Sequence, residues 1–186
     1  MSLVLASGSP QRRAILEALG VPFSIRVVAV DEVESGTAEV VARENALRKV
    51  VAASSGNEGE AVLGVDTVVA LDGGLWGKPA DAVAAGETLW ALSGRTHTVV
   101  SGFALVDPSG VRAGHDTTLV TFRELDSATI DWYVASGEWE GRAGGYAIQG
   151  RGGALVRRIE GDYLNVVGLP LAALLDAGHP ALRLGV

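Results

Sequence analysis

The chain has 186 residues, 48% of them hydrophobic and 20% charged, with 25 glycines and no cysteine. Such a composition fits one globular domain with a sizeable core, and it excludes a disordered chain, a disulfide scaffold, a thiolate zinc site and a cysteine nucleophile. A net charge of −7 repels nucleic-acid backbone, and the two lysines, Lys49 and Lys78, lie in no basic run, so nucleic acid is not expected as a partner. No apolar run approaches the ~20 residues that span a bilayer. The opening Met1-Ser2-Leu3-Val4-Leu5-Ala6 is too short for the apolar part of a signal peptide. A cytoplasmic protein without membrane partners is expected.

In chain order, Leu3–Ala6 predicts a short buried strand. Ser9 is placed as an N-cap with Pro10 at the first helical position, and Ile15, Leu16 and Leu19 form the apolar stripe of a helix that Gly20 ends. Pro22–Val30 predicts a second strand, ending near Asp31-Glu32. From Thr37 a helix is predicted to about Ala53, with Val40, Val41, Leu47 and Val51 facing inward. Ala61–Leu71 predicts a strong strand closed by a hairpin turn at Asp72-Gly73-Gly74, and Asp81–Leu92 a helix. Strands Thr96–Val106 and Val111–Phe122 are joined by Asp107-Pro108-Ser109-Gly110, a helix follows over Ser127–Ala135, and glycine-rich Gly141–Gly153 predicts a functional loop. Strand Ala154–Ile159 and a helix from about Leu171 complete the pattern, which predicts a three-layer α/β domain around a long, mixed, twisted sheet.

Two segments invite chemistry. Ser7-Gly8-Ser9-Pro10-Gln11-Arg12 joins a strand to a capped helix, and it reads either as an ordinary helix start or as an anion site. In the second reading, free backbone N–H groups, two hydroxyls and the Arg12 fork would meet phosphate. Asp66 lies within Val62-Leu63-Gly64-Val65-Asp66-Thr67-Val68-Val69, where an ionised carboxylate is costly unless paired, hydrogen-bonded or metal-bound. It can hold a divalent cation, orient a water or take its proton, or else it is a strand-end acid satisfied by neighbouring N–H groups. Lys49 and Lys78 are cations that a polyphosphate leaving group needs, or else surface residues, and Glu32 is a strand-end acid that either shares a metal with Asp66 or is simply solvated. His97, His115 and His179 show no metal-ligand spacing and are read as structural or exposed. The glycine-rich loop lacks the Gly-Lys-Ser/Thr ending of a Walker loop.

Six stretches in order carry a resemblance. They are Leu5-Ala6-Ser7-Gly8-Ser9-Pro10, Gly64-Val65-Asp66-Thr67-Val68-Val69, Gly77-Lys78-Pro79, Leu92-Ser93-Gly94-Arg95-Thr96-His97-Thr98-Val99, Ala143-Gly144-Gly145-Tyr146-Ala147-Ile148-Gln149-Gly150 and Asn165-Val166-Val167-Gly168-Leu169-Pro170. Together they resemble the Maf family of nucleotide pyrophosphatases, from Leu3 to about Leu174. The resemblance implies a single Maf/ITPase-like domain over residues 1–186, elongated, with a cleft between two lobes, acting as a homodimer with a divalent cation such as Mg²⁺ or Mn²⁺.

By position, the resemblance implies Asp66 as the catalytic carboxylate and Glu32 as its acidic neighbour at the metal. Ser7, Arg12, Lys49, Lys78 and Gln149 are implied to bind the nucleotide. An alternative register puts Asn45 in the place of Lys49. Thr67 and Gln149 resemble the base-reading positions of the branch acting on dTTP and UTP. Gln11 stands where that branch has arginine, and Gly141-Arg142 stand where the family has Asp-Lys. The implied reaction splits a nucleoside triphosphate between its α- and β-phosphates. The alternatives are the same reaction on a modified purine or 7-methyl-GTP, and a nucleotide-binding regulator of cell division.

Overall fold

The β-branched runs pair as strands and the capped, alanine-rich segments coil as helices in a computed structural model that describes residues 2–55 and 59–182. The strands are β1 (Leu3–Leu5), β2 (Phe23–Ile25), β3 (Ala61–Leu71), β4 (Gly74–Trp76), β5 (Thr96–Asp107), β6 (Gly110–Phe122) and β7 (Val156–Glu160). They form one seven-stranded mixed sheet in the order β2-β1-β3-β5-β6-β7, with β4 also on β3. β1 runs parallel to β2 and β3, and the remaining pairs are antiparallel. The β3–β4 turn uses Asp72 at φ 53° and Gly73 at φ 77°, the left-handed pair that suits a two-residue hairpin.

The helices are α1 (Pro10–Ala18), α2 (Ala38–Ser54), α3 (Ala82–Leu92), α4 (Ser127–Val134), α5 (Tyr163–Val167) and α6 (Leu171–Asp176). Ser9, Thr37, Asp81 and Asp126 cap the first four, each accepting a backbone N–H three residues on. Side chains alternate across a strand, so β3 serves two cores at once. Its even-numbered face packs on α2, where Val62 meets Ala46, Val50 and Ala53. On its odd-numbered face, Leu63 and Val65 join a cluster with Ile15 and Leu16 of α1 and Leu174 of α6. Val69 and Leu71 join another with Leu89 and Leu92 of α3 and Ile130 and Tyr133 of α4. Thr67 falls between these two clusters. The expected three layers and two lobes are thus present, and among the described residues no helix is long and apolar enough to cross a membrane.

The structure departs from expectation in four places. The second strand is confined to Phe23–Ile25, because β1 offers only three residues to pair with. Beyond Ile25 the chain leaves the sheet, and Glu32 rides on this irregular segment instead of ending a strand. On α2, Val41 is buried and Leu47 partly so, but Val40 and Val51 are 59% and 61% exposed. Ala38, Ala42, Ala46, Val50 and Ala53 face inward instead. The cause is close approach: a Cβ on Gly64 would lie 2.3 Å from the Ala46 carbonyl oxygen, and one on Gly102 2.3 Å from the Ala42 carbonyl carbon. Only small residues fit there. The last strand begins at Val156, because Ala154 and Leu155 belong to a 3₁₀ turn over Gly150–Leu155. The one-turn helix α5, capped by Asp162 and ended by Gly168, was not expected.

Candidate active site

β3 has β5 along one whole edge, but its other edge is shared. β1 pairs only with Ala61–Leu63 and β4 only with Val69–Leu71. Residues 64–68 therefore lack a strand neighbour on that side, and a cleft of about 450 Å³ opens at the gap. Asp66 enters it from one face of β3 and Thr67 from the other. Of the expected site residues, Ser7, Gln11, Arg12, Lys49, Asp66, Thr67, Lys78 and Gln149 all line the cleft. Glu32 reaches the same place through Lys49.

On the Asp66 side the groups are charged. Lys49 Nζ lies 2.6 Å from Asp66 Oδ1 and 2.7 Å from Glu32 Oε1, so one ammonium holds two carboxylates together. Asn45 donates to Asp66 Oδ2 at 3.2 Å. Its amide also clasps the backbone of Val33, accepting at 2.7 Å and donating at 3.1 Å, which fixes the segment carrying Glu32. Lys49 and Asn45, alternatives in the sequence, both meet Asp66 because they lie one turn apart on α2. Burial raises the Glu32 carboxyl, but Lys49, Lys78 and Arg12 together hold it below its ordinary 4.5. Lys78 is exposed and has no hydrogen bond or ion pair at contact distance among the described residues.

On the Thr67 side the anchor is Arg12, only 8% exposed. It donates to Ser7 Oγ at 2.8 Å, to Thr67 Oγ1 at 3.1 Å and to the Gly168 carbonyl at 2.8 Å. Burial lowers its pKa, opposed by the charges of Asp66 and Glu32. Three of its five N–H donors are thus committed to the protein. Behind Thr67, Ser101 Oγ is 2.8 Å away and donates to the Asn165 carbonyl at 3.2 Å. Sequence reasoning passed over Ser101 and gave Asn165, the first residue of the last motif stretch, no role. The one signal was a serine in an apolar strand, which needs a buried partner.

The loop closing the cleft is braced from below. His97 Nε2 and Tyr146 Oη are 2.8 Å apart, the two rings stack edge-on with Phe122, and Tyr133 Oη accepts from the Ala147 N–H at 2.9 Å. Gly144 N–H bonds the Gly77 carbonyl at 3.0 Å, tying the loop to the turn that carries Lys78. His97 and His179 are buried and structural, and His115 is exposed, as expected. Burial lowers the His97 imidazole from 6.5 to about 4. A base whose pKa falls on folding takes up its proton more readily when unfolded. Stability is therefore lost as pH drops from about 6.5 towards 4. His97→Phe should show a shallower fall in thermal midpoint over that range than the unsubstituted chain.

Contacts join the motif segments in pairs around the cleft: Arg12 with Thr67 and Gly168, Gly77 with Gly144, and His97 with Tyr146. A family model described as Maf-like protein matches residues 2–178. The chain belongs to the Maf family. This Maf-family chain is 46% identical over 184 residues to a dTTP/UTP pyrophosphatase of Symbiobacterium thermophilum, spanning 96% of this chain and 95% of that one. It is 49% identical over 175 residues to a dTTP/UTP pyrophosphatase of Moorella thermoacetica, spanning 91% and 89%. Among solved structures, a nucleoside-triphosphatase / dITP/XTP pyrophosphatase from Mycobacterium abscessus is 23% identical, covers 68% of this chain and 76% of its own, and gives a TM-score of 0.45.

Proposed function

We propose that this Maf-family chain is a nucleoside triphosphate pyrophosphatase that prefers dTTP and UTP and releases the nucleoside monophosphate and pyrophosphate. The observation that carries the reading is the Asp66 carboxylate, held by Lys49 and Asn45 in a gap of the sheet edge that opens into a cleft. The names of the relatives support the substrate class.

In this reading the triphosphate spans the cleft between the two sides of β3, with Ser7 and the two remaining Arg12 donors on the inner phosphates and Lys78 on the outer ones. The base lies on the Thr67 side against Val69, Tyr146 and Ile148, within reach of Gln149 and Gln11. A carboxylate offers about four lone-pair sites. Lys49 and Asn45 occupy two of those on Asp66, and the others are free for a water. Asp66 takes a proton from that water as its oxygen attacks the α-phosphorus in line. The bond from the α-phosphorus to the bridging oxygen breaks, and pyrophosphate leaves.

Among the described residues no three His, Cys, Asp or Glu side chains gather as a ready-made cage. The Asp66 and Glu32 carboxylates, brought together by Lys49, are hard oxygen donors of the kind that Mg²⁺ or Mn²⁺ takes. Asp66 and Glu32 would hold it, and when bound it would supply charge neutralisation on the phosphates. A single catalytic domain, homodimeric assembly and a cytoplasmic setting belong to the same proposal.

A panel of triphosphates assayed for pyrophosphate with Mg²⁺ or Mn²⁺ tests the reading. Turnover should be highest with dTTP and UTP; a panel without pyrophosphate release, or with release only from purines, would contradict it. Lys78→Ala should lower kcat/KM about tenfold to a hundredfold, the worth of one charge-assisted contact. The thermal midpoint should move by no more than about 2 °C, because the side chain is exposed and unpaired.

A further inference from the structure

We infer that Ser101, a buried residue outside the cleft, sets which pyrimidine is accepted by fixing the direction of the Thr67 hydroxyl proton. The inference rests on the reading of the cleft as a pyrimidine nucleotide site. Ser101 is 0% exposed and pairs with Thr67 across the β3–β5 register, on the same face of the sheet.

Proton bookkeeping in this cluster leaves one solution. Arg12 Nη2 can only donate, and it donates to Thr67 Oγ1 at 3.1 Å. The Asn165 carbonyl can only accept, and Ser101 Oγ lies 3.2 Å from it. Thr67 Oγ1 and Ser101 Oγ are 2.8 Å apart. Each hydroxyl has one proton. If the Ser101 proton turned to Thr67, the Ser101 and Asn165 oxygens would face each other with no hydrogen between them. All three contacts are hydrogen bonds only when Arg12 donates to Thr67, Thr67 to Ser101 and Ser101 to Asn165.

The end of this relay does not move. The Asn165 carbonyl also accepts from the Gly168 N–H at 3.0 Å. The Asn165 side chain donates to the Val99 carbonyl at 3.1 Å and to Thr118 Oγ1 at 3.0 Å. Thr67 has therefore spent its proton on the inside of the protein, and its last lone pair is what it offers to the cleft. That pair accepts from an imino N–H. Uracil and thymine carry one at N3, between two carbonyls. Cytosine has a bare lone pair at N3, which would meet another lone pair. Discrimination between uracil and cytosine then comes from a serine that touches neither.

The test measures kcat/KM for UTP and CTP in the unsubstituted chain, Ser101→Ala, Thr67→Val and the double variant. Ser101→Ala frees the Thr67 hydroxyl to rotate and donate, so the UTP:CTP ratio should fall about tenfold, the worth of one hydrogen bond, with CTP gaining. In the Thr67→Val background Ser101→Ala should leave the ratio unchanged, because the relay has lost its carrier. Ser101→Cys, close in size and weakly bonding, should relax the ratio likewise and serves if the alanine variant folds poorly. A ratio within twofold of the unsubstituted value in both Ser101 variants overturns the inference. So does an equal shift with and without the Thr67 hydroxyl. If the unsubstituted chain releases pyrophosphate from neither UTP nor dTTP, the nucleotide reading itself falls, and this inference with it.

Discussion

Replacing Asp66 with asparagine should lower kcat/KM for pyrophosphate release by about 10³-fold, within the range lost when a positioned general base is removed. The substitution keeps the volume and leaves Lys49 paired to Glu32 at 2.7 Å, so the fold should survive. The loss should appear in kcat more than in KM, because Ser7, Arg12 and Lys78 remain to bind the phosphates. Near-normal turnover in Asp66→Asn would remove the carboxylate from the chemistry. The variant would then have to be explained by the cations alone.

Gly102→Ala should have the largest effect on stability. Its new Cβ would meet the Ala42 carbonyl carbon and oxygen at 2.3 and 2.4 Å and the Arg43 nitrogen at 2.4 Å, all backbone atoms that no rotamer change can clear. Helix α2 would have to lift off the sheet, at a cost on the order of 3 kcal/mol. A chain of this size should then melt roughly 6–12 °C lower. Lifting α2 also draws Asn45 and Lys49 away from Asp66, so turnover should drop as well. Gly86→Ala is the contrast: the nearest atom to its Cβ is Ile130 Cγ2 at 3.8 Å, and it lies inside α3. That change should add about 0.5–1 kcal/mol, the helix preference of alanine over glycine. Thermal melts of the two variants side by side distinguish a crowding effect from a general intolerance of glycine replacement.

The same glycines explain where the sequence could and could not be read. The β3, β5 and β6 runs are long and β-branched, and their strands are local statements. Ser9, Thr37 and Asp81 announce their helices by capping chemistry within three residues. The inward face of α2 is different. Val40 and Val51 look like core residues until Gly64 and Gly102, distant in sequence, let the backbone of α2 come down on the sheet at Ala46 and Ala42. The second strand stops early because its partner β1 is three residues long, which Pro22–Val30 does not reveal. In the site, Asp66 was legible because a carboxylate among β-branched residues needs a reason. Lys49 and Asn45 were legible as alternatives, and only the helical turn between them shows that both reach Asp66. Arg12 was read as a phosphate ligand, but most of its capacity goes to Ser7, Thr67 and the Gly168 carbonyl. Those partners lie up to 156 residues away, beyond any local pattern.

Isotope position tests the central claim most directly. Hydrolysis of UTP in water enriched in ¹⁸O, followed by mass analysis of both products, reports which phosphorus the water attacks. Attack on the α-phosphorus beside Asp66 places the label in the nucleoside monophosphate and leaves pyrophosphate unlabelled. Label in pyrophosphate, or release of inorganic phosphate in its place, would mean that the substrate does not lie across β3 in this way.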